Sequence, residues 1–283
     1  MPRAIDVHIH PPGPDGESLT SSKEAQAYFK APPPPASADE MADYYAKIDV
    51  FGVIFTIDDE SVTGRAPIPN DYLAGIVRKY QDQFIAFGSV DPWKGKAAIN
   101  EMTRCAEEFG MKGMKFMPIM QRFFPNDEQF YPLWEQAEKL GLVVLIHSGT
   151  TGVGAGRPGG GGYKLKYSRP IPHIDDVAAD FPGLNIIMAH PAWPWQEEQL
   201  AMLVQKPNVY MDMSGWSPKY FQPSLVQYAN SLAQDKCLFG SDYPVIMPER
   251  WLADFEKADF RDEVREKILL GNAAKLLGLD FKS

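Results

Sequence analysis

Short apolar runs alternate with amphipathic stretches from one end of the chain to the other. Runs at 4–10, 52–57, 84–90, 113–117, 142–147, 184–190, 209–213 and 237–241 have the length and composition of strands. Between them, apolar residues recur at helical spacing and predict helices at 38–49, 70–82, 95–109, 127–140, 173–181, 195–205 and 222–233. Two more follow the last strand, at 248–257 and 261–278. Eight strand–helix units in 283 residues predict an α/β protein, a single-domain (β/α)8 barrel spanning 1–283. The runner-up is a doubly wound open sheet. That fold usually carries a Gly-rich phosphate turn after its first strand, and no such turn follows residue 10.

Two segments break the alternation. One is 11–37, which contains Pro32, Pro33, Pro34 and Pro35 and reads as a long loop with a polyproline stretch. The other is 150–170, where Gly159 to Gly162 is flanked by Arg157, Lys164, Lys166 and Arg169. Both follow histidine-bearing strands, so in a barrel both are expected on the face that carries the active site. For the second, a lid bringing cations such as Arg157 to an anionic substrate and a solvated insertion both stand open.

Composition narrows the partners. With 45% hydrophobic residues the chain can bury a full core. A net charge of −9 argues against nucleic acid and anionic membranes, and it obliges a site for an anion to supply its own positive charge. Cys105 and Cys237 form no CxxC motif and suggest no disulfide framework. The first strand begins at once after Met1-Pro2-Arg3, leaving no room for a signal peptide, and no apolar run reaches the roughly 18 residues of a membrane span. The expectation is a soluble cytoplasmic protein.

The histidines carry the chemistry. There are five, and four close predicted strands: His8 and His10 in the first, His147 in the fifth and His190 in the sixth. Asp242 follows the last strand in Phe239-Gly240-Ser241-Asp242. A barrel gathers these strand ends on one face, where imidazoles and a carboxylate can hold a metal ion. Strand alternation projects His8 and His10 together and turns Val7 and Ile9 the other way, into packing. His173 follows Pro170 and Pro172 and is read as a helix-start or loop residue.

These residues carry a resemblance. Asp6-Val7-His8-Ile9-His10, Ile146-His147, Ala189-His190-Pro191 and Gly240-Ser241-Asp242-Tyr243-Pro244 occur in order over nearly the whole chain. In them the chain resembles the amidohydrolase superfamily. The branch is that of aminocarboxymuconate semialdehyde decarboxylase, related aromatic-acid decarboxylases, and ring-cleavage hydrolases and hydratases. The resemblance implies that His8, His10, His147 and Asp242 bind one divalent ion, zinc or alternatively manganese. It implies that His190, with Asp242, handles the metal's water. It further implies a dimer or tetramer. The reaction expected is non-oxidative decarboxylation of a small carboxylated aromatic or unsaturated compound. Hydrolysis of a lactone, amide or C–C bond with the same groups is the alternative, and a non-catalytic metal-binding barrel is the outside one.

Several residues are candidates for contact with that substrate. Lys115, at the end of the fourth strand, can face a substrate carboxylate, support a second metal as a carboxylated lysine, or form a structural ion pair. Trp193 and Trp216 follow the sixth and seventh strands and suit a flat ligand, or else pack loops, as do Trp93 and Phe116. Arg65 has the fork geometry of a carboxylate clamp, with a solvated surface residue as the simpler role. Asp212 and Ser214 are expected near the pocket, and Asp58-Asp59-Glu60 in a solvated loop.

Overall fold

A computed structural model describes residues 1–16, 28, 30 and 35–281. Much of the predicted 11–37 insertion, including Pro32, Pro33 and Pro34, lies outside the described residues. Eight parallel strands pair in sequence order: β1 (Ala4–Ile9), β2 (Val50–Ile54), β3 (Phe84–Ser89), β4 (Gly113–Phe116), β5 (Val143–His147), β6 (Ile186–Ala189), β7 (Val209–Asp212) and β8 (Cys237–Leu238). The ring closes where Val7 N–H donates to Phe239 O at 3.0 Å and His10 N–H to Tyr243 O at 2.9 Å. This is the predicted (β/α)8 barrel.

The helices surround it: α1 (Ala38–Lys47), α2 (Glu60–Thr63), α3 (Asn70–Lys79), α4 (Lys96–Glu107), α5 (Pro118–Gln121), α6 (Tyr131–Lys139), α7 (His173–Asp180), α8 (Gln196–Gln205), α9 (Pro223–Ala229), α10 (Pro248–Phe255), α11 (Asp262–Glu266) and α12 (Asn272–Leu277). Local chemistry sets their starts. Ser37 caps α1 by accepting from Glu40 N–H, and the Glu40 carboxylate accepts from Ala36 N–H in return. Prolines open α5, α9 and α10, where the missing N–H costs nothing. Among the described residues no helix is long and apolar enough to cross a membrane.

Two apolar layers follow from strand alternation. Ile5, Val7, Val53, Phe55, Phe87, Leu145, Ile187 and Leu238 fill the barrel interior, and Ala273 and Leu277 of α12 join them. Ile9, Met114, Phe116, Ile146, Met188 and Met211 face the helices instead. The alternation fails in one place. The β1–β2 register shifts between Asp6 and Ile9, a bulge that lets Val7 and the next residue both serve the interior. Val7 therefore does not share the outward face of Ile9, as strict alternation predicts. Phe116 also departs from expectation, packing outward against Trp134 and Phe123 instead of lining the mouth.

Candidate metal and catalytic site

Three strands, β1, β5 and β6, deliver four histidines to one place, and the end of β8 adds Asp242. His8 Nε2 lies 3.2 Å from His10 Nε2, and Asp242 Oδ1 lies 3.4 Å from the first and 3.2 Å from the second. His190 also reaches the cluster, since His8, His190 and Asp242 each offer a donor atom within 4.8 Å of the others. The His190 ring centroid is 4.7 Å from that of His8 and 5.2 Å from that of His147. His147 Nε2 is buried and has no hydrogen-bond partner.

His8 and Asp242 are held from behind. His8 Nδ1 donates to Asp212 Oδ2 at 2.5 Å, which leaves the His8 Nε2 lone pair facing the cluster. The His8 and His10 rings stand edge-on to Phe55, at 4.8 and 5.0 Å. Asp242 takes a left-handed backbone, φ 68°, an uncommon conformation for a residue with a side chain. Its N–H donates to His8 O at 3.1 Å, and the neighbouring Ser241 donates both its N–H and its hydroxyl to Asp6. Asp6 also accepts from Tyr45 at 2.9 Å, so one buried carboxylate ties β1, α1 and the end of β8 together.

His190 is oriented by a separate chain of contacts. Its Nδ1 lies 2.7 Å from Ser214 Oγ, and Ser214 Oγ lies 2.7 Å from Asp212 Oδ2. Ser214 has one hydroxyl proton, and an ionised Asp212 can only accept. When Asp212 is ionised, that proton goes to Asp212 and His190 Nδ1 donates to Ser214. His190 Nε2 is left as an acceptor. On the other side, Gln199 donates to His190 O at 2.8 Å and accepts from Ala192 N–H at 2.9 Å. Gly215 makes room for the ring: a Cβ there would fall 2.7 Å from His190 Nδ1.

Burial sets the protonation states. It pushes His8, His10 and His190 below the ordinary 6.5, and burial with the Lys115 charge pushes His147 down to about 3. All four are neutral at neutral pH, the form that ligates metal. Lys115 is buried with its ammonium 5.0 Å from the Phe55 ring centroid, and burial lowers it to about 7 against the pull of Asp212 and Asp242. Asp212 is raised to about 7, again mainly by burial.

This donor set fits a divalent ion. Donors bonded to one zinc at about 2.1 Å sit about 3.0–3.4 Å apart, the spacing seen among His8, His10 and Asp242. His147 Nε2, buried and unpartnered on a ring 5.2 Å from that of His190, is free to act as a further donor.

The remaining candidates lie further out. Arg65 is largely exposed and pairs with Asp59 at 3.3 Å. Arg157 is exposed on the segment 150–170, which folds into short turns and packs Val153 and Tyr163 on the Met117, Ile119 and Met120 cluster. Trp93 donates to Gln121 O and packs on Phe130. Trp193 and Trp216 share a cleft beside His190, with ring centroids 6.4 Å apart. His173 starts α7 and bonds Asn126 at 2.9 Å. Asp58 and Asp59 are not solvated as expected. They are buried, Asp58 pairing with Lys94 at 2.8 Å. A cavity of about 200 Å³ beside Asp58, between α3 and α4, has both of its lining cations committed, in Lys94–Asp58 and Arg104–Asp71, so it offers no free cation to an anionic ligand.

Sequence reading passed over Asp6, Phe55, Gln199 and Gly215 as site residues. Their roles arise from contacts across the barrel that no local pattern reports.

Comparison with known proteins agrees with this architecture. The family described as Amidohydrolase matches residues 5–279. The 2-amino-3-carboxymuconate-6-semialdehyde decarboxylase of Dictyostelium discoideum is 24% identical over 240 residues, covering 75% of this chain and 66% of that protein, a little under two thirds of its length. An uncharacterised TIM-barrel protein from Bordetella bronchiseptica superposes with TM-score 0.81 at 25% identity, covering 98% of each chain. A dihydroxybenzoic acid decarboxylase from a Polaromonas species, with bound manganese and the inhibitor 2-nitroresorcinol, gives TM-score 0.68 at 19% identity over 99% of this chain and 98% of that one.

Proposed function

The chain belongs to the amidohydrolase family, and on that premise we propose that it is a metal-dependent enzyme releasing CO2 from a small carboxylated aromatic or unsaturated acid. The observation that carries the reading is the convergence of His8 Nε2, His10 Nε2 and Asp242 Oδ1 within 3.2–3.4 Å. Two of the similar proteins are named as decarboxylases of unsaturated or aromatic acids, which favours loss of carboxylate over hydrolysis.

In this reading His8, His10, His147 and Asp242 hold one divalent ion. Three nitrogens and a carboxylate suit zinc, and manganese is the alternative that the Polaromonas protein contains. When bound, such an ion supplies Lewis acidity toward a substrate oxygen.

His190 moves the proton. Its Nε2 takes up one proton from solvent and delivers it to the carbon that bears the carboxylate, so each CO2 released consumes one proton. The bond to the carboxylate then breaks, its electron pair returns to the unsaturated system, and CO2 leaves. Ser214 accepts from Nδ1 throughout and keeps Nε2 aimed at the reacting carbon. Lys115 faces the substrate carboxylate, and an arriving anion favours its protonated form. Phe55 and the buried histidines exclude water, so these charges act in a low dielectric.

The test is product analysis. The protein loaded with zinc or with manganese is offered hydroxybenzoates, muconate-type acids, lactones and amides. CO2 from at least one acid, stopped by a chelator, is expected. Turnover of a lactone or amide without CO2 would make the same residues a hydrolase. Tight metal with no turnover would leave a metal-binding barrel.

A further inference from the structure

The barrel closes at an irregular seam. From β1 to β8 each strand pairs with the next in parallel, but among the described residues β8 and β1 share no strand ladder. β8 covers only Cys237 and Leu238, and the Phe239 N–H turns away to Ile268 O at 2.9 Å. An isolated bridge, Ile9 to Tyr243, and separate backbone bonds at Val7, His10 and Asp242 cross the seam.

The proposed metal cluster straddles this seam. His8 and His10 lie on one side and Asp242 on the other. Asp242 Oδ1 stands 3.4 Å from His8 Nε2 and 3.2 Å from His10 Nε2. A ligand set divided in this way is only as well defined as the spacing across the seam. A ladder fixes that spacing by repeated backbone bonds, and here another device has to do so.

The carboxylate of Asp6 fills that place. It is fully buried and accepts four hydrogen bonds. Oδ1 takes the N–H of His8 at 3.1 Å and the N–H of Ser241 at 2.9 Å. Oδ2 takes the hydroxyls of Ser241 at 2.5 Å and Tyr45 at 2.9 Å. An ionised carboxylate offers about four acceptor positions, so each has its donor. One oxygen therefore joins the bulge of β1, at His8, to the residue that precedes Asp242. Ser241 Oγ in turn accepts from Tyr243 N–H at 3.0 Å, which closes the turn around the left-handed Asp242.

We propose that Asp6 is a positioning residue. Through Ser241 it sets the distance between the His8–His10 pair and Asp242, and with it the affinity and coordination geometry of the bound ion. The proposal rests on the ligand assignment made above and is independent of which reaction follows. Tyr45 supplies an internal contrast. Its hydroxyl bonds to the same oxygen as that of Ser241, but it comes from α1, and its ring contact with Tyr243 survives in phenylalanine.

Two readouts on the full-length protein test this apart from turnover. Zinc affinity is measured by competition with a chelator of known affinity. The visible spectrum of the cobalt(II)-loaded protein reports how the donors surround the ion. Ser241→Ala is expected to weaken zinc by about 3–10-fold, the scale of one lost hydrogen bond, and to change the cobalt spectrum. Asp6→Asn, whose amide turns a donor toward groups that themselves donate, is expected to weaken zinc by about 10–100-fold. Tyr45→Phe is expected to lower the melting temperature and to leave zinc affinity and cobalt spectrum unchanged. Unchanged affinity and spectrum in Ser241→Ala overturn the proposal, whether or not Asp6→Asn folds. So does a Tyr45→Phe variant that weakens zinc as much as Ser241→Ala, because the carboxylate then only supports the fold. A wild type that takes up neither metal overturns the ligand assignment and this role together. If zinc affinities follow the expected order while no acid yields CO2, the decarboxylation reading falls and the role of Asp6 stands.

Discussion

His8 Nδ1 and Asp212 Oδ2 lie 2.5 Å apart, both groups buried, one on β1 and the other on β7. The pair fixes which nitrogen of His8 faces the cluster. Through Ser214 the same carboxylate reaches His190. One side chain therefore orients both a proposed metal ligand and the proposed proton carrier.

Asp212→Asn removes the charge and leaves an amide that can present a donor to His8 Nδ1. Metal affinity is expected to fall by about 10–100-fold, the usual scale for a lost partner of a ligand histidine. A competition titration against a chelator of known affinity measures it. An unchanged affinity would show that His8 needs no orienting carboxylate.

His190→Asn removes the proposed proton carrier and spares the four proposed ligands. It is expected to retain the metal and to lose kcat by about 100-fold or more. Single-turnover kinetics with metal content measured on the same sample separates the two effects. A near-normal rate would exclude His190 from the chemistry.

Gly215→Ala strikes His190 from the side. The residue sits at φ 74°, and the added methyl would fall 2.7 Å from His190 Nδ1. Strain of about 1–3 kcal/mol is expected, read as a melting point lower by several degrees, with metal retained and turnover reduced. A variant with wild-type melting point and rate would mean that the loop shifts freely.

His173 gives a pH signature away from the metal. Burial lowers its pKa from the ordinary 6.5, opposed by Asp176 and assisted by Arg169. The folded state thus disfavours the imidazolium. Its contribution is present above 6.5 and is lost as pH falls through the window below that value. Between about pH 7.5 and pH 5 the wild type should lose more melting temperature than His173→Gln does. Parallel curves for the two proteins would remove His173 from the pH response.

Much of this was legible before any coordinates. The alternation of apolar runs and amphipathic stretches is a local property of the chain, and it predicts the eight strands and their parallel order. His8, His10, His147 and His190 announce themselves because a polar ring at the end of an apolar run has few reasons to be there. Boundaries were less legible: β2 begins at Val50, not at 52, and β8 covers only Cys237–Leu238. The bulge between Asp6 and Ile9 was invisible, because register is set by the neighbouring strand and by closure of the ring. Asp58 and Asp59 look like a solvated run in sequence, and only Lys94 and Arg65, reaching in from elsewhere, make their burial tolerable. Gln199 gives no sequence signal at all, since its work is to grip the backbone of His190 and Ala192.

Side chains from β1, β5 and the end of β8 are proposed to hold one divalent ion. Elemental analysis of the purified wild type and of His10→Ala, after loading with zinc and removal of excess, tests it most directly. About one ion per wild-type chain is expected, and most of it should be lost in His10→Ala, because a ligand position is removed outright. Wild-type stoichiometry in His10→Ala would contradict it.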